Sequence, residues 1–301
     1  MSIPLLNASG CLDALTAPGV ARELDVFVTK TVTPLRREGN APPRFVETEH
    51  GMLNSIGLQN PGIDAFVDDV LPRLAKLGIP LWVSVGGFSA ADYAFVCERL
   101  DDEEAIAAIE LNLSCPNVEE APETAAELVA RARTATAKPL YAKLSPATWD
   151  IAESARAVAA SGADGLSLVN TIRGVAIDPA TGRPALARGA GGYSGPALRP
   201  IALACASACA EAVELPIVGM GGVASAEHAN DFVSAGASAV ALGTILFIDP
   251  DAPARIRAEL GGASSPVGVS SPVETRALPP DSSPSDSSSA VQTTPKSLQN
   301  G

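Results

Sequence analysis

At 301 residues, 47% of them apolar, the chain is long enough for one large α/β domain with an ample core. Its 34 acidic residues outnumber 21 basic ones, and the formal charge of −13 opposes a nucleic-acid partner, whose phosphates such a surface repels. No apolar run has the length of a membrane span, Met1–Asn7 lacks the basic and apolar regions of a secretory leader, and five cysteines without framework spacing read as reduced thiols of a cytoplasmic protein.

Short β-branched segments alternate with Ala- and Leu-rich helical ones. The pattern predicts strands at Pro4–Ala8, Val26–Thr31, Pro80–Val85, Ala108–Leu113, Leu140–Leu144, Gly165–Val169, Ile217–Gly219 and Ala239–Leu242. It predicts helices at Ile63–Leu77, Ala90–Leu100, Thr124–Thr136, Ile151–Ser161, Pro196–Val213 and Ser225–Ala235. Gly78, Gly162 and Gly236 follow three of these helices, as left-handed C-caps do. Eight βα repeats close most naturally into a single (β/α)8 TIM barrel over residues 1–261, with an open doubly wound sheet as the alternative. Residues 262–301 are Ser/Pro-rich, have no aromatic side chain and show no periodicity. They have too little apolar surface to offset their ordering entropy, so they read as a disordered C-terminal tail.

In a barrel, the residues just after each strand face the active site. Here those positions read Asn7–Gly10, Thr29–Thr31, Ser84–Gly87, Asn112–Asn117, Lys143, Asn170–Thr171, Gly219–Gly222 and Gly243–Thr244. Any single Asn among them is as well explained by a helix cap. The whole set is costly to bury unless a ligand binds there. Glycines after the seventh and eighth strands let backbone amides approach a phosphate ahead of a helix N-terminus, although one such turn alone is weak evidence.

Several longer motifs resemble class 1 dihydroorotate dehydrogenases. They are Thr29–Thr33, Gly39–Arg44, Met52–Gly62, Asn112–Asn117 (NLSCPN), Lys143–Pro146, Asn170–Thr171, Gly192–Pro196 and Met220–Gly222. The resemblance runs in order over nearly all of Leu5–Pro250, and the Leu58–Gly62 and Asn170–Thr171 variants look most like the NAD-linked 1B subfamily. It implies oxidation of (S)-dihydroorotate to orotate in pyrimidine (UMP) biosynthesis, with one FMN per chain. By resemblance FMN is held by Ser9, Lys30, Thr31, Ser84, Asn112, Lys143, Val169, Gly195, Gly221, Gly222, Gly243 and Thr244. Substrate would meet Lys30, Asn54, Ser55, Ile56, Gly57, Leu58, Asn112, Asn117, Asn170 and Thr171. Cys115 matches the family's base, taking the C5 proton while hydride leaves C6 for the flavin, and Lys30 joins it in the catalytic set.

The residue types suit these roles. A Cys whose pKa is tuned towards working pH takes a proton, and Asn offers a donor and an acceptor to a pyrimidinedione edge. Lys30 is expected to pair with the substrate carboxylate, and Lys143 to stabilise reduced flavin. Cys11, Cys97, Cys205 and Cys209 read as small core residues.

The chain departs from the family pattern at three places. It starts almost at the first strand without the usual hairpin, Ser84 stands where the 1B pattern has Asn, and Val118–Pro122 is short and lacks glycine. His50 and His228 are far apart, so no metal is expected. The sequence has neither an iron–sulfur cysteine cluster nor a dinucleotide fingerprint after a strand. The 1B resemblance therefore implies a partner subunit carrying FAD and a [2Fe–2S] cluster, on a homodimer of this chain within a heterotetramer. Fumarate stays open as another acceptor. Two other functions stay open: a dihydropyrimidine dehydrogenase-like flavin reductase, and a non-catalytic flavin-binding subunit. Lys30 with Asn54–Gly57 favours a carboxylate ligand over the first, and Cys115, Lys30 and Lys143 stand against the second.

Overall fold

The computed structural model describes residues 3–113 and 124–262. Cys115, Asn117 and the chain from 263 onward lie outside them. Among the described residues twelve strands run in chain order: β1 (Leu5–Asn7), β2 (Phe27–Val28), β3 (Phe45–Thr48), β4 (Gly51–Asn54), β5 (Leu81–Val85), β6 (Ile106–Asn112), β7 (Leu140–Leu144), β8 (Gly165–Leu168), β9 (Ile172–Gly174), β10 (Gly191–Ser194), β11 (Ile217–Met220) and β12 (Ala239–Leu242). Eight of them form a parallel sheet in the order β1-β12-β11-β8-β7-β6-β5-β2, with helices returning between them. Its two edges meet at a parallel bridge between Leu6 and Val26. The result is a nearly closed (β/α)8 barrel, as the alternation of elements predicts.

The seam between β1 and β2 is held partly by a side chain. Asn7 Oδ1 accepts from the Val28 amide at 2.8 Å, and Asn7 Nδ2 donates to the Val28 carbonyl at 2.7 Å. A side-chain amide thus stands in for the backbone ladder, which is why β2 is shorter than its apolar pattern suggests. Helix starts are set by capping side chains: Ser89, Thr124, Asp150 and Ser225 each accept from the amide three residues on. Each such cap is worth about 1 kcal/mol. The stretch 63–77 is helical but passes through a π turn at Phe66–Val70, just before Pro72, which has no amide to give.

The lower barrel interior is filled. Trp82 and Tyr141 stack with ring centroids 4.1 Å apart, and Leu6, Val28, Val218, Met220, Ala239 and Ala241 pack with them. Gly165 makes the room, since a Cβ there would lie 2.3 Å from the Tyr141 ring. Each large apolar side chain buried here contributes about 1.5–3 kcal/mol. Above this plug the interior turns polar, with Asn112, Lys143 and Ser167 in register on β6, β7 and β8.

A second sheet, antiparallel and ordered β3-β4-β10-β9, was not expected from the sequence. It is built from strands of three or four residues, three of which contain glycine. At Gly192 a Cβ would fall 2.1 Å from Thr171 Oγ1, so only glycine lets β10 pass this close. No helix among the described residues is long and apolar enough to cross a membrane.

Candidate active site

A cavity of about 1220 Å³, open solvent included, is walled by the loops after the barrel strands and by the second sheet. Ser9, Lys30, Thr31, Asn54, Ile56, Gly57, Leu58, Asn112, Lys143, Val169, Asn170, Thr171, Gly195, Gly221, Gly222, Gly243 and Thr244 all line it. Residues separated by more than 200 positions are thus brought together by the closing of the barrel.

A chain of hydrogen bonds fixes the polar wall. Ser84 Oγ lies 3.0 Å from Thr31 Oγ1, which accepts from Asn112 Nδ2 at 3.2 Å. Asn112 Oδ1 accepts from Asn170 Nδ2 at 2.9 Å, and its backbone carbonyl accepts from the Tyr93 hydroxyl at 2.7 Å. Four strands therefore hold the orientation of the Asn112 and Asn170 amides before any ligand arrives.

The two cavity lysines differ in setting. Lys143 is 4% exposed and donates to Ser9 Oγ at 2.9 Å and to Glu110 Oε1 at 3.3 Å. Lys30 makes no ion pair among the described residues, and its side chain is open to the cavity. The surrounding walls still displace enough bulk water to lower its pKa from the ordinary lysine range, and the Arg44 charge acts in the same direction while Cys11 opposes it.

The loop that carries the expected substrate contacts is tightly tied. Arg44 donates to Gln59 Oε1 at 2.8 Å and to the Glu38 carbonyl at 3.1 Å. Asn40 Nδ2 donates to Ser55 Oγ at 2.9 Å. Leu58 adopts φ 56°, a left-handed conformation that costs a branched-chain residue about 1–2 kcal/mol. Asn60 helps hold it, donating from Nδ2 to the Leu58 carbonyl at 2.7 Å. Strain of this kind concentrates where a loop must present a side chain or backbone to a ligand.

The donor set fits a flat, phosphorylated cofactor such as FMN. At one end Gly221 and Gly222 have φ 129° and 73°, and a Cβ on Gly222 would sit 2.8 Å from the Gly195 carbonyl oxygen. Only glycine keeps this turn, which leaves backbone close to a phosphate. Thr244 Oγ1 donates to Ser194 Oγ at 2.8 Å beside it. At the other end Lys143 and Asn112 offer donors to the electron-rich pyrimidine edge of a flavin.

The family model described as dihydroorotate dehydrogenase matches residues 1–263. The chain belongs to the dihydroorotate dehydrogenase family. Among curated relatives, a protein of Anoxybacillus flavithermus is 44% identical over 273 residues, covering 85% of this chain and 86% of its own length. One of Desulforudis audaxviator is 46% identical over 244 residues, covering 79% and 80%, and one of Listeria monocytogenes is 40% identical over 278 residues, covering 89% and 91%. Each is named dihydroorotate dehydrogenase B (NAD(+)), catalytic subunit.

In this member of the family, two expected contacts stand behind the cavity wall. Ser55 is 1% exposed with its hydroxyl turned to Asn40, and Ser84 is fully buried beneath Thr31. Ser84 supports Thr31, which does line the cavity, and Ser55 lies between Asn54 and Ile56, which line it too. Cys11, expected as a small core residue, packs against the core and also lines the cavity. Burial raises its thiol pKa, outweighing the opposing charges of Lys143 and Lys30. Glu110, Phe45, Met52 and Phe247 were not foreseen. Phe45 and Phe247, both half exposed, meet at the rim with ring centroids 6.3 Å apart. Glu110 carried a usable signal, a carboxylate inside the otherwise apolar run Ile106–Leu111, where a charge is buried only with a partner.

Proposed function

We propose that this chain oxidises (S)-dihydroorotate to orotate with FMN bound in the barrel mouth, as the catalytic subunit of an NAD-linked enzyme. The observation that carries this reading is one cavity in which Lys30, Lys143, Asn112 and Asn170 face a glycine turn at Gly221–Gly222. FMN, when bound, accepts the hydride from C6. Asn112, Asn170 and Thr171 orient the pyrimidinedione through amide and hydroxyl groups, and Lys30 pairs with the substrate carboxylate. Asn54–Leu58 close over the other edge, and Asn117 is a further contact. Cys115 takes the C5 proton. Cys115 and Asn117 lie outside the described residues, and their roles rest on the Asn112–Asn117 motif.

We assign residues 1–261 to the catalytic barrel; the expected tail at 262–301 lies, apart from Gly262, outside the described residues. The names of the curated relatives support an NAD-linked assembly with a second subunit. That subunit would carry FAD and a [2Fe–2S] cluster and pass electrons from FMN to NAD, on a homodimer of this chain in the cytoplasm.

The test uses the purified chain with FMN, mixed anaerobically with dihydroorotate. Flavin absorbance is expected to bleach rapidly, uracil is expected to leave it oxidised, and NAD is expected to be reduced only slowly without a partner. Bound flavin that stays oxidised with dihydroorotate overturns the substrate assignment, and rapid NAD reduction by the chain alone overturns the partner.

Lys30 gives a pH prediction. Its cationic form binds the carboxylate, and its surroundings favour the neutral form, so substrate capture is lost as pH rises through a pKa below the ordinary 10.5. The kcat/KM of flavin reduction should fall on that alkaline limb. Lys30→Gln should abolish the limb and lower kcat/KM at neutral pH by about tenfold to a hundredfold, the loss of one charge-assisted hydrogen bond. An alkaline limb unchanged in the variant assigns it to another group.

A further inference from the structure

Glu110 belongs to none of the expected contacts and does not line the cavity, yet it touches a residue that does. We infer that Glu110 is a positioning residue that sets the charge Lys143 presents to the flavin, and so the ease of flavin reduction. This rests on the reading that FMN occupies the cavity.

Glu110 lies two residues before Asn112 on β6, so the two side chains point to the same face. Asn112 stands in register with Lys143, which places Glu110 one step deeper in the barrel. Its carboxylate therefore reaches Lys143 from beneath, at 3.3 Å, with both side chains almost fully buried at 2% and 5% exposure. An ammonium has three N–H donors. Glu110 takes one, Ser9 takes a second, and the third is left for the cavity that Lys143 lines.

The pair thus divides the labour between the two lysines. Lys30 offers an uncompensated positive charge, whereas that of Lys143 is largely cancelled by a neighbour that neither water nor salt screens. A flavin gains negative charge on reduction. Lys143 favours that gain and Glu110 opposes it, so the pair holds the flavin ready to pass electrons on. A merely structural ion pair would alter stability and leave the flavin's preference for its reduced form alone.

The experiment compares the full chain with Glu110→Gln, each loaded with FMN, and measures the binding of oxidised against reduced flavin through the midpoint potential. Glu110→Gln is expected to favour reduced flavin by about tenfold more than the parent, which for a two-electron couple is about 30 mV upward. Glu110→Asp, which retains the charge, is expected to keep most of the parental preference. Where Glu110→Gln alone does not fold, Lys143→Gln is compared with the double variant Glu110→Gln/Lys143→Gln. The double should then prefer reduced flavin by about the same tenfold. A preference within about twofold in either comparison, with flavin bound, overturns the role of Glu110 and leaves the proposed function standing. A parent chain that binds no FMN overturns both.

Discussion

Replacing Cys115 by serine is expected to slow the bleaching of bound FMN by dihydroorotate about 10²–10⁴-fold at neutral pH, the usual contribution of a positioned general base. Flavin should remain bound, because the substitution leaves the proposed phosphate site at Gly221, Gly222 and Thr244 unchanged. The reason is the proton. In the proposed reaction C5 gives up its proton to Cys115 as hydride leaves C6, and a serine hydroxyl holds its own proton far above the pH at which a tuned thiol releases one. Stopped-flow absorbance under anaerobic conditions measures this directly. A rate within about threefold of the parent would move the base to another residue. Cys11, the thiol that lines the cavity among the described residues, is a poor candidate because burial raises its pKa.

The second large effect concerns the same lysine that Glu110 compensates. Lys143→Met removes the cation and leaves the Glu110 carboxylate buried at 1% exposure. An uncompensated charge of this kind costs about 3–5 kcal/mol. At about 2–4 °C per kcal/mol for a domain of this size, Tm should fall by roughly 6–20 °C. The double variant Glu110→Gln/Lys143→Met removes both charges and should regain more than half of that loss, since replacing a buried pair is far less costly than breaking it. Thermal melts followed by circular dichroism decide the point. Equal melting of Lys143→Met and parent would mean that Glu110 is hydrated through the cavity and pays no burial cost.

Most of the barrel was legible in the sequence because its signals are local. Apolar runs such as Ile217–Met220 and Ala239–Leu242 are buried on both faces, so composition alone marks them as parallel strands. Caps such as Thr124 with Glu127 sit three residues apart and announce a helix start by themselves. The glycine turn at Gly221–Gly222 and the polar residues at strand ends follow from the same local reading once a barrel is assumed. The motifs around Lys30, Asn54–Leu58 and Asn112 then marked out the cavity wall.

What the sequence could not determine depends on partners far along the chain. The second sheet joins β4 to β10, whose Asn54 and Gly192 are 138 residues apart and share a hydrogen bond. Segments as short and glycine-rich as Gly51–Asn54 and Gly191–Ser194 have no strand propensity that a local reading would register. Ser55 and Ser84 lie on the right segments, but which way a side chain turns is settled by Asn40 and Thr31. Cys11 packs against the core as expected, but its place in the cavity wall was not legible, because a small apolar residue suits both settings equally. Glu110 shows the limit most clearly: its charge is visible in the sequence, but its meaning depends on Lys143, 33 positions away. Periodicity and short-range hydrogen bonding determined the barrel, and the resemblance of its motifs to a known family pointed to the chemistry at its mouth. Only the tertiary structure decided which buried charges meet, because burial and pairing are properties of the closed barrel and not of any one strand.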